Sequence, residues 1–217
     1  MALISLPANS KSLLVRVFAT FLTVGALMAI VLTGVAEAYG TPTDPPSRTY
    51  GCWNRWHTDP LNPVMPQADP MCWRLWQSDP SARWYTEGVY RDGAEGPVPN
   101  GRLCSAGQAR YGALDEPGRW QAVPRSRQFT VTVIDRTRLG ADYLRVYLTK
   151  QGYDATTTRL GWNHLDLVMS TGRITNVGQL SFMLDAANRT GRHVVYSVWQ
   201  LGSSDRAYYS CTDIIFQ

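Results

Sequence analysis

Lysine is almost missing from this 217-residue chain: of 21 basic residues only Lys11 and Lys150 are lysines, and the arginines are scattered singly. A formal net charge of +4 without a basic stripe is not the footprint of a nucleic-acid-binding protein. Charged residues make up only 18% of the chain against 44% apolar, a balance that excludes intrinsic disorder, collagen and a polytopic membrane protein. None of the four cysteines forms a Cys-x-x-Cys pair, so a four-thiolate zinc site has nothing to build on. Histidine is confined to His57, His164 and His193, with none between Met1 and Trp56. Serine-elbow, phosphate-loop and dinucleotide motifs are absent. Asp115 and Glu116 are adjacent in a turn before Pro117. They lack the separation across a cleft that glycoside hydrolysis needs, and read, with Asp44, as solvated loop charges.

What the chain has in quantity is aromatic residues, with eight Trp and eleven Tyr, which beside the low charge suggests contact surfaces as well as core. It also has a leader. Lys11 and Arg16 precede an uncharged stretch from Val17 to Ala36, and Ala36-Glu37-Ala38 is a small-x-small cleavage pattern with no positive cluster after it. This predicts a secretory signal peptide over 1–38 and a mature domain over 39–217, secreted and free of the membrane. The rival reading is an uncleaved N-terminal anchor, suggested by the length of the apolar stretch. Cys52, Cys72, Cys104 and Cys211 all lie in the mature part, and an even count in an exported protein reads as two disulfides with three possible pairings. Cys52 with Cys72 would staple a local segment, and Cys104 with Cys211 would tie the end of the chain to its middle; spacing alone does not choose.

From Gly40 to Gly107 the chain is dense in Pro, Trp and Gly and reads as loops with short helices. Cys52-Trp53-Asn54-Arg55-Trp56 is echoed by Cys72-Trp73-Arg74-Leu75-Trp76, with tryptophans at i, i+3 that share a face in a helical turn. Trp84, Tyr85 and Tyr90 extend this aromatic cluster. These rings either form the loop's own small core or face a ligand. From Gln128 onward the texture changes to short alternating runs. Phe129, Val131 and Val133 alternate with threonines, and Leu144–Leu148, Leu165–Val168, Val194–Trp199 and Cys211–Phe216 follow. Period-two patterning with turns such as Lys150-Gln151-Gly152 predicts an all-β fold, an antiparallel β-sandwich. Asn188-Arg189-Thr190 is formally a glycosylation acceptor.

Five ordered motifs carry a family resemblance. They are Thr43-Asp44-Pro45-Pro46-Ser47-Arg48; Leu103-Cys104-Ser105-Ala106-Gly107; Gly140-Ala141-Asp142-Tyr143-Leu144-Arg145-Val146-Tyr147 running into Thr149-Lys150-Gln151-Gly152; Gly191-Arg192-His193-Val194-Val195-Tyr196; and Tyr209-Ser210-Cys211-Thr212-Asp213. Together they resemble bacterial lytic polysaccharide monooxygenases of auxiliary activity family 10, the chitin-binding type 4 domains. The resemblance implies an immunoglobulin-like or fibronectin III-like β-sandwich. It also implies a loop and short-helix insertion over about 50–99 that builds much of a flat face for crystalline polysaccharide. Active members hold copper through the N-terminal amine, the imidazole of the same first residue and a second imidazole, with an aromatic ring at the axial side; imidazole suits copper.

On this sequence the first position is Tyr39 and the second-histidine position is Leu139, so both imidazoles are absent; Tyr208 stands at the axial aromatic position. Leu139 has no donor atom, and a neutral phenol with a pKa near ~10 is a poor ligand at neutral pH. Copper, the cofactor the resemblance implies, is therefore expected to be absent or weakly held. Tyr39, Leu139 and Tyr208 would form a small aromatic and apolar patch suited to a sugar ring, or pack on one another in place of the metal. The expected function is a secreted, monomeric protein that binds insoluble chitin or cellulose, with Trp53, Trp56, Trp84 and Tyr85 as candidate contacts. A copper monooxygenase with atypical ligands and an extracellular protein that binds a protein partner are the alternatives.

Overall fold

The computed structural model describes residues 40–202 and 204–216; the segment 1–38 and Tyr39 lie outside the described residues. Two sheets face each other. The smaller has the strand order β1-β4-β7, made of β1 (Thr41–Asp44), β4 (Gln128–Ile134) and β7 (Gln179–Asp185). The larger runs β2-β9-β8-β5-β6, made of β2 (Val89–Arg91), β9 (Ala207–Phe216), β8 (Gly191–Gln200), β5 (Tyr143–Thr149) and β6 (Leu165–Ser170). The antiparallel sandwich expected from the alternation is present. One pairing departs from it, since the short β3 (Val123–Arg125) runs parallel to the end of β9.

The alternation in β4 does what period-two patterning predicts: Phe129, Val131 and Val133 are buried and the intervening threonines face outward or half out. They pack with Leu144, Val146, Leu148, Val195, Trp199, Ile214 and Phe216 as the core between the sheets. A strand absent from the sequence reading, β7, pairs with β4 over its whole length. Its Leu180, Phe182 and Leu184 alternate inward toward the core, and the 68% exposed Met183 on the outer face joins Phe182–Leu184 into an unbroken apolar run that blurs the pattern.

The large sheet is covered on both faces. In β8 every residue from His193 to Trp199 is buried, because Val195 and Trp199 face the inter-sheet core while Val194, Tyr196 and Val198 face a second core under the insertion. That second core collects Met65, Met71, Leu75, Trp76, Leu103, Leu114 and Trp120. Its roof is helical: α1 (Arg48–Trp56), α2 (Met65–Ala68), α3 (Pro70–Ser78) and a 3-10 turn over Pro80–Trp84. Ser47 caps α1 by accepting from the Tyr50 N–H at 3.2 Å, and Pro70 opens α3 where its missing N–H costs nothing.

The two disulfides are Cys52–Cys72 and Cys104–Cys211. The first joins α1 to α3; the second joins the loop after residue 100 to β9. A buried ion pair sits beside the second. Arg48 donates from Nε to Asp213 Oδ2 at 2.7 Å and from Nη2 to Asp213 Oδ1 at 3.2 Å, and its guanidinium lies 4.6 Å over the Trp120 ring. Asp115 corrects the sequence reading. It is buried, and its carboxylate accepts the backbone N–H groups of Cys104 and Ser105 at 2.9 and 3.1 Å. Burial pushes its carboxyl above the usual range. Glu116, by contrast, is a solvated charge paired with Arg159.

Candidate functional site

The loop after β4 is built around one carboxylate. Asp135, 1% exposed, accepts from the Thr137 N–H and hydroxyl through Oδ1 and from the Gly140 N–H at 2.8 Å through Oδ2. Gly140 has φ +75, and a Cβ there would stand 2.0 Å from the Ile174 carbonyl oxygen, so only glycine fits. Ala141 and Ile174 then exchange backbone bonds of 2.9 and 2.8 Å. Clamped on both sides, the loop holds Leu139 outward at 66% exposure.

Pairing sets the start of β1 beside the end of β4 and links it through Trp199 to Tyr208. Thr41 lies opposite Ile134 in the small sheet, so the start of β1 adjoins the end of β4. Gly40 has φ +51, and a Cβ on it would stand 2.2 Å from Trp199 Cγ, which seats its backbone against that indole. Trp199 is in turn the register partner of Tyr208. Leu139 lines a hollow with Asp142, Arg173, Ile174 and Leu201. Tyr208 lines a different one, a cleft shared with Trp84, Tyr85, Tyr90 and Tyr111.

That second cleft is the aromatic one. The Tyr90 ring lies 5.8 Å from Tyr208, and Arg206 sits 5.6 Å over Tyr90. Tyr85 is held as a fixed wall. Its hydroxyl donates to Asp79 Oδ2 at 2.8 Å, and its ring meets Tyr111 edge-on at 5.1 Å. Burial works against ionisation of Asp79, but bonds from Arg110, Ser81 and Tyr85 outweigh it and hold the carboxyl well below the ordinary carboxylate range. Burial pushes the Tyr85 hydroxyl up, with its bond to Asp79 adding to the shift. Asp79 also caps the 3-10 turn by accepting the Ser81 N–H at 3.0 Å, which fixes the direction of Trp84. That indole is 63% exposed.

The four aromatic candidates thus separate. Trp84 is free to meet a ligand and Tyr85 lines the cleft beside it. Trp53 is half-buried and stacked on His57 with ring centroids 4.4 Å apart, and Trp56 is half-buried with its indole N–H donating to Asp69 at 2.9 Å. Tyr111 lines the cleft and Arg110 braces it from behind through Asp79 and the Tyr85 and Tyr111 rings; neither carries a pattern in the sequence, and both sit on the 3-10 turn over Ala109–Asp115.

All three histidines have local work. His57 Nδ1 meets the Trp53 carbonyl at 2.9 Å, and His164 Nδ1 accepts from the Gly161 N–H at 3.1 Å. His193 is 1% exposed between Thr149 and Thr190, and burial lowers its pKa. Among the described residues no group of three His, Cys, Asp or Glu side chains could hold a metal ion.

Comparison with known proteins gives a consistent result. Residues 39–214 match the family model described as lytic polysaccharide mono-oxygenase, cellulose-degrading. The chain is 28% identical over 211 residues to the chitin-binding protein CbpD of Pseudomonas aeruginosa, covering 91% of this chain and 52% of that one. It is 28% identical to a lytic cellulose monooxygenase of Streptomyces ambofaciens, covering 94% of this chain and 60% of that one. The chain therefore spans a little over half the length of these curated relatives. The crystal structure of such a monooxygenase from Kitasatospora papulosa superposes with a TM-score of 0.78 at 43% identity, covering 82% of this chain and 98% of that one.

Proposed function

The chain belongs to the lytic polysaccharide mono-oxygenase family, and from that premise we propose that it is an exported protein that binds insoluble β-linked polysaccharide, chitin or cellulose, without oxidising it. One observation carries the reading. The loop clamped by Asp135 presents, at the place where the resemblance expects the second copper imidazole, an isobutyl group with no donor atom. The residues present do not fit the copper arrangement: Tyr39 replaces the first histidine, Leu139 the second, and His57, His164 and His193 are engaged elsewhere. The N-terminal amine alone would hold copper poorly.

Adhesion needs less. Trp84 offers a flat apolar ring for the C–H face of a sugar, and the rigid Tyr85–Tyr111 wall, the exposed Tyr90 and the rim of Thr86 and Glu87 lie beside it in one cleft. Export follows from the leader pattern over 1–38, with the mature chain starting at Tyr39. The chitin-binding and cellulose-acting names among the relatives support the two polymers.

The test is calorimetry with copper on the chain processed to Tyr39, together with depletion assays on chitin and on cellulose. Expected are no copper binding tighter than about micromolar, which corresponds to about 8 kcal/mol, and loss of the protein from solution onto at least one polymer. Stoichiometric tight copper with release of oxidised oligosaccharides would overturn the proposal. So would failure to bind either polymer.

A further inference from the structure

On the insertion, α3 and the loop after α1 enclose a second hollow whose lining shares no residue with the cleft of Tyr208. Trp73, Trp76 and Gln77 fall at i, i+3 and i+4 on one face of α3 and line it together with Pro60, Leu61 and Arg83. Its volume is ≈ 190 Å³, the space of about six waters and the scale of a single sugar ring. The Trp73 indole, Pro60, Pro80 and the exposed Leu61 side chain make its surface mostly apolar.

Its polar groups are few and uncommitted. Arg83 spends Nε on the Pro80 carbonyl at 2.8 Å and makes no ion pair among the described residues. No carboxylate lines the hollow to neutralise it. The Trp73 ring is half-buried and the Gln77 side chain exposed, while Trp76 is only 5% exposed and shows the hollow little of its ring. The Trp73 ring flanked by a planar amide and a guanidinium matches a pyranose ring, apolar on its C–H face and hydroxylated at its edge.

We infer that this hollow is a second carbohydrate site, taking one pyranose unit against Trp73 with Gln77 and Arg83 on its hydroxyls, distinct from the cleft of Trp84. The inference rests on the proposed polysaccharide binding for the polymer it serves, and its effect is to grip a chain at two points instead of one.

The experiment is a titration of the processed chain with cellohexaose and chitohexaose, followed through the tryptophan indole N–H resonances, alongside polymer depletion. Expected are shifts at Trp73 and Trp76 that persist in Trp84→Ala. In Arg83→Ala and Gln77→Ala, which leave the core untouched, they weaken about tenfold in apparent affinity. Trp73→Ala abolishes them and, if folded by its melting curve, lowers polymer retention severalfold. Polymer binding with silent Trp73 and Trp76 resonances, or shifts unchanged by both Arg83→Ala and Gln77→Ala, overturns the second site and leaves the proposed function standing. Shifts at neither hollow together with no polymer retention overturn both.

Discussion

Replacing Asp213 by alanine strips the counter-ion from a guanidinium with a side-chain exposure of 6%. Breaking a buried pair from one side costs about 3–5 kcal/mol, because the remaining charge stays desolvated. Arg48 retains two consolations, the Leu114 carbonyl at 2.5 Å and the Trp120 ring at 4.6 Å, which place the expected loss at about 3 kcal/mol. For a domain of this length that lowers the melting temperature by roughly 6–12 °C. Urea unfolding with both disulfides intact measures it, and Asp213→Asn, which keeps an acceptor for Nε, should lose less. The double variant Arg48→Met, Asp213→Leu removes both charges and should recover most of the loss. A midpoint for Asp213→Ala within about 1 kcal/mol of wild type would refute the claim that this pair ties the start of α1 to β9.

Trp84→Ala should leave the melting curve unchanged, since the ring is exposed, while weakening polymer depletion by about tenfold, or 1.4 kcal/mol; unchanged depletion would remove Trp84 from the binding face. Loss of the Cys104–Cys211 bridge, which spans 107 residues, should cost about 4.8 kcal/mol against about 3.3 for Cys52–Cys72, which spans 20. Alanine pairs compared by urea unfolding check the order. Because the Asp79 carboxyl is held below its ordinary value near 3.8, its stabilising effect is complete above that value and lost as pH falls through the lower folded value. The stability gap between wild type and Asp79→Asn should therefore be constant from about pH 5 to 8 and shrink below about pH 4. A gap that holds down to pH 2 would contradict the assignment.

Strands were legible in this sequence where one side of a strand is fully buried. Phe129, Val131 and Val133 announce β4, whereas in β7 the alternation of Leu180, Phe182 and Leu184 is blurred by an exposed apolar Met183. The motifs that carry the family likeness were legible as motifs, but the bond between two of them, Arg48 to Asp213, crosses 165 residues and no local pattern records it. Asp115 was misread for the same reason: next to Glu116 and Pro117 it looks like a turn charge, yet its partners are amides ten and eleven positions earlier. Trp53, Trp56 and Trp84 are chemically identical in sequence. Only packing on His57, the Asp69 bond and the direction of the 3-10 turn tell the lining of the molecule from its exterior.

Strand β8 serves as a party wall, with alternate side chains belonging to different rooms. A slip of one residue in its pairing would exchange the tenants of the two cores, putting Tyr196 where Val195 belongs. The aromatic roof on one side and the sandwich on the other therefore lock each other's alignment. Evolution or engineering can redecorate the outward-facing rings freely, but any change to the wall itself has to satisfy both households at once.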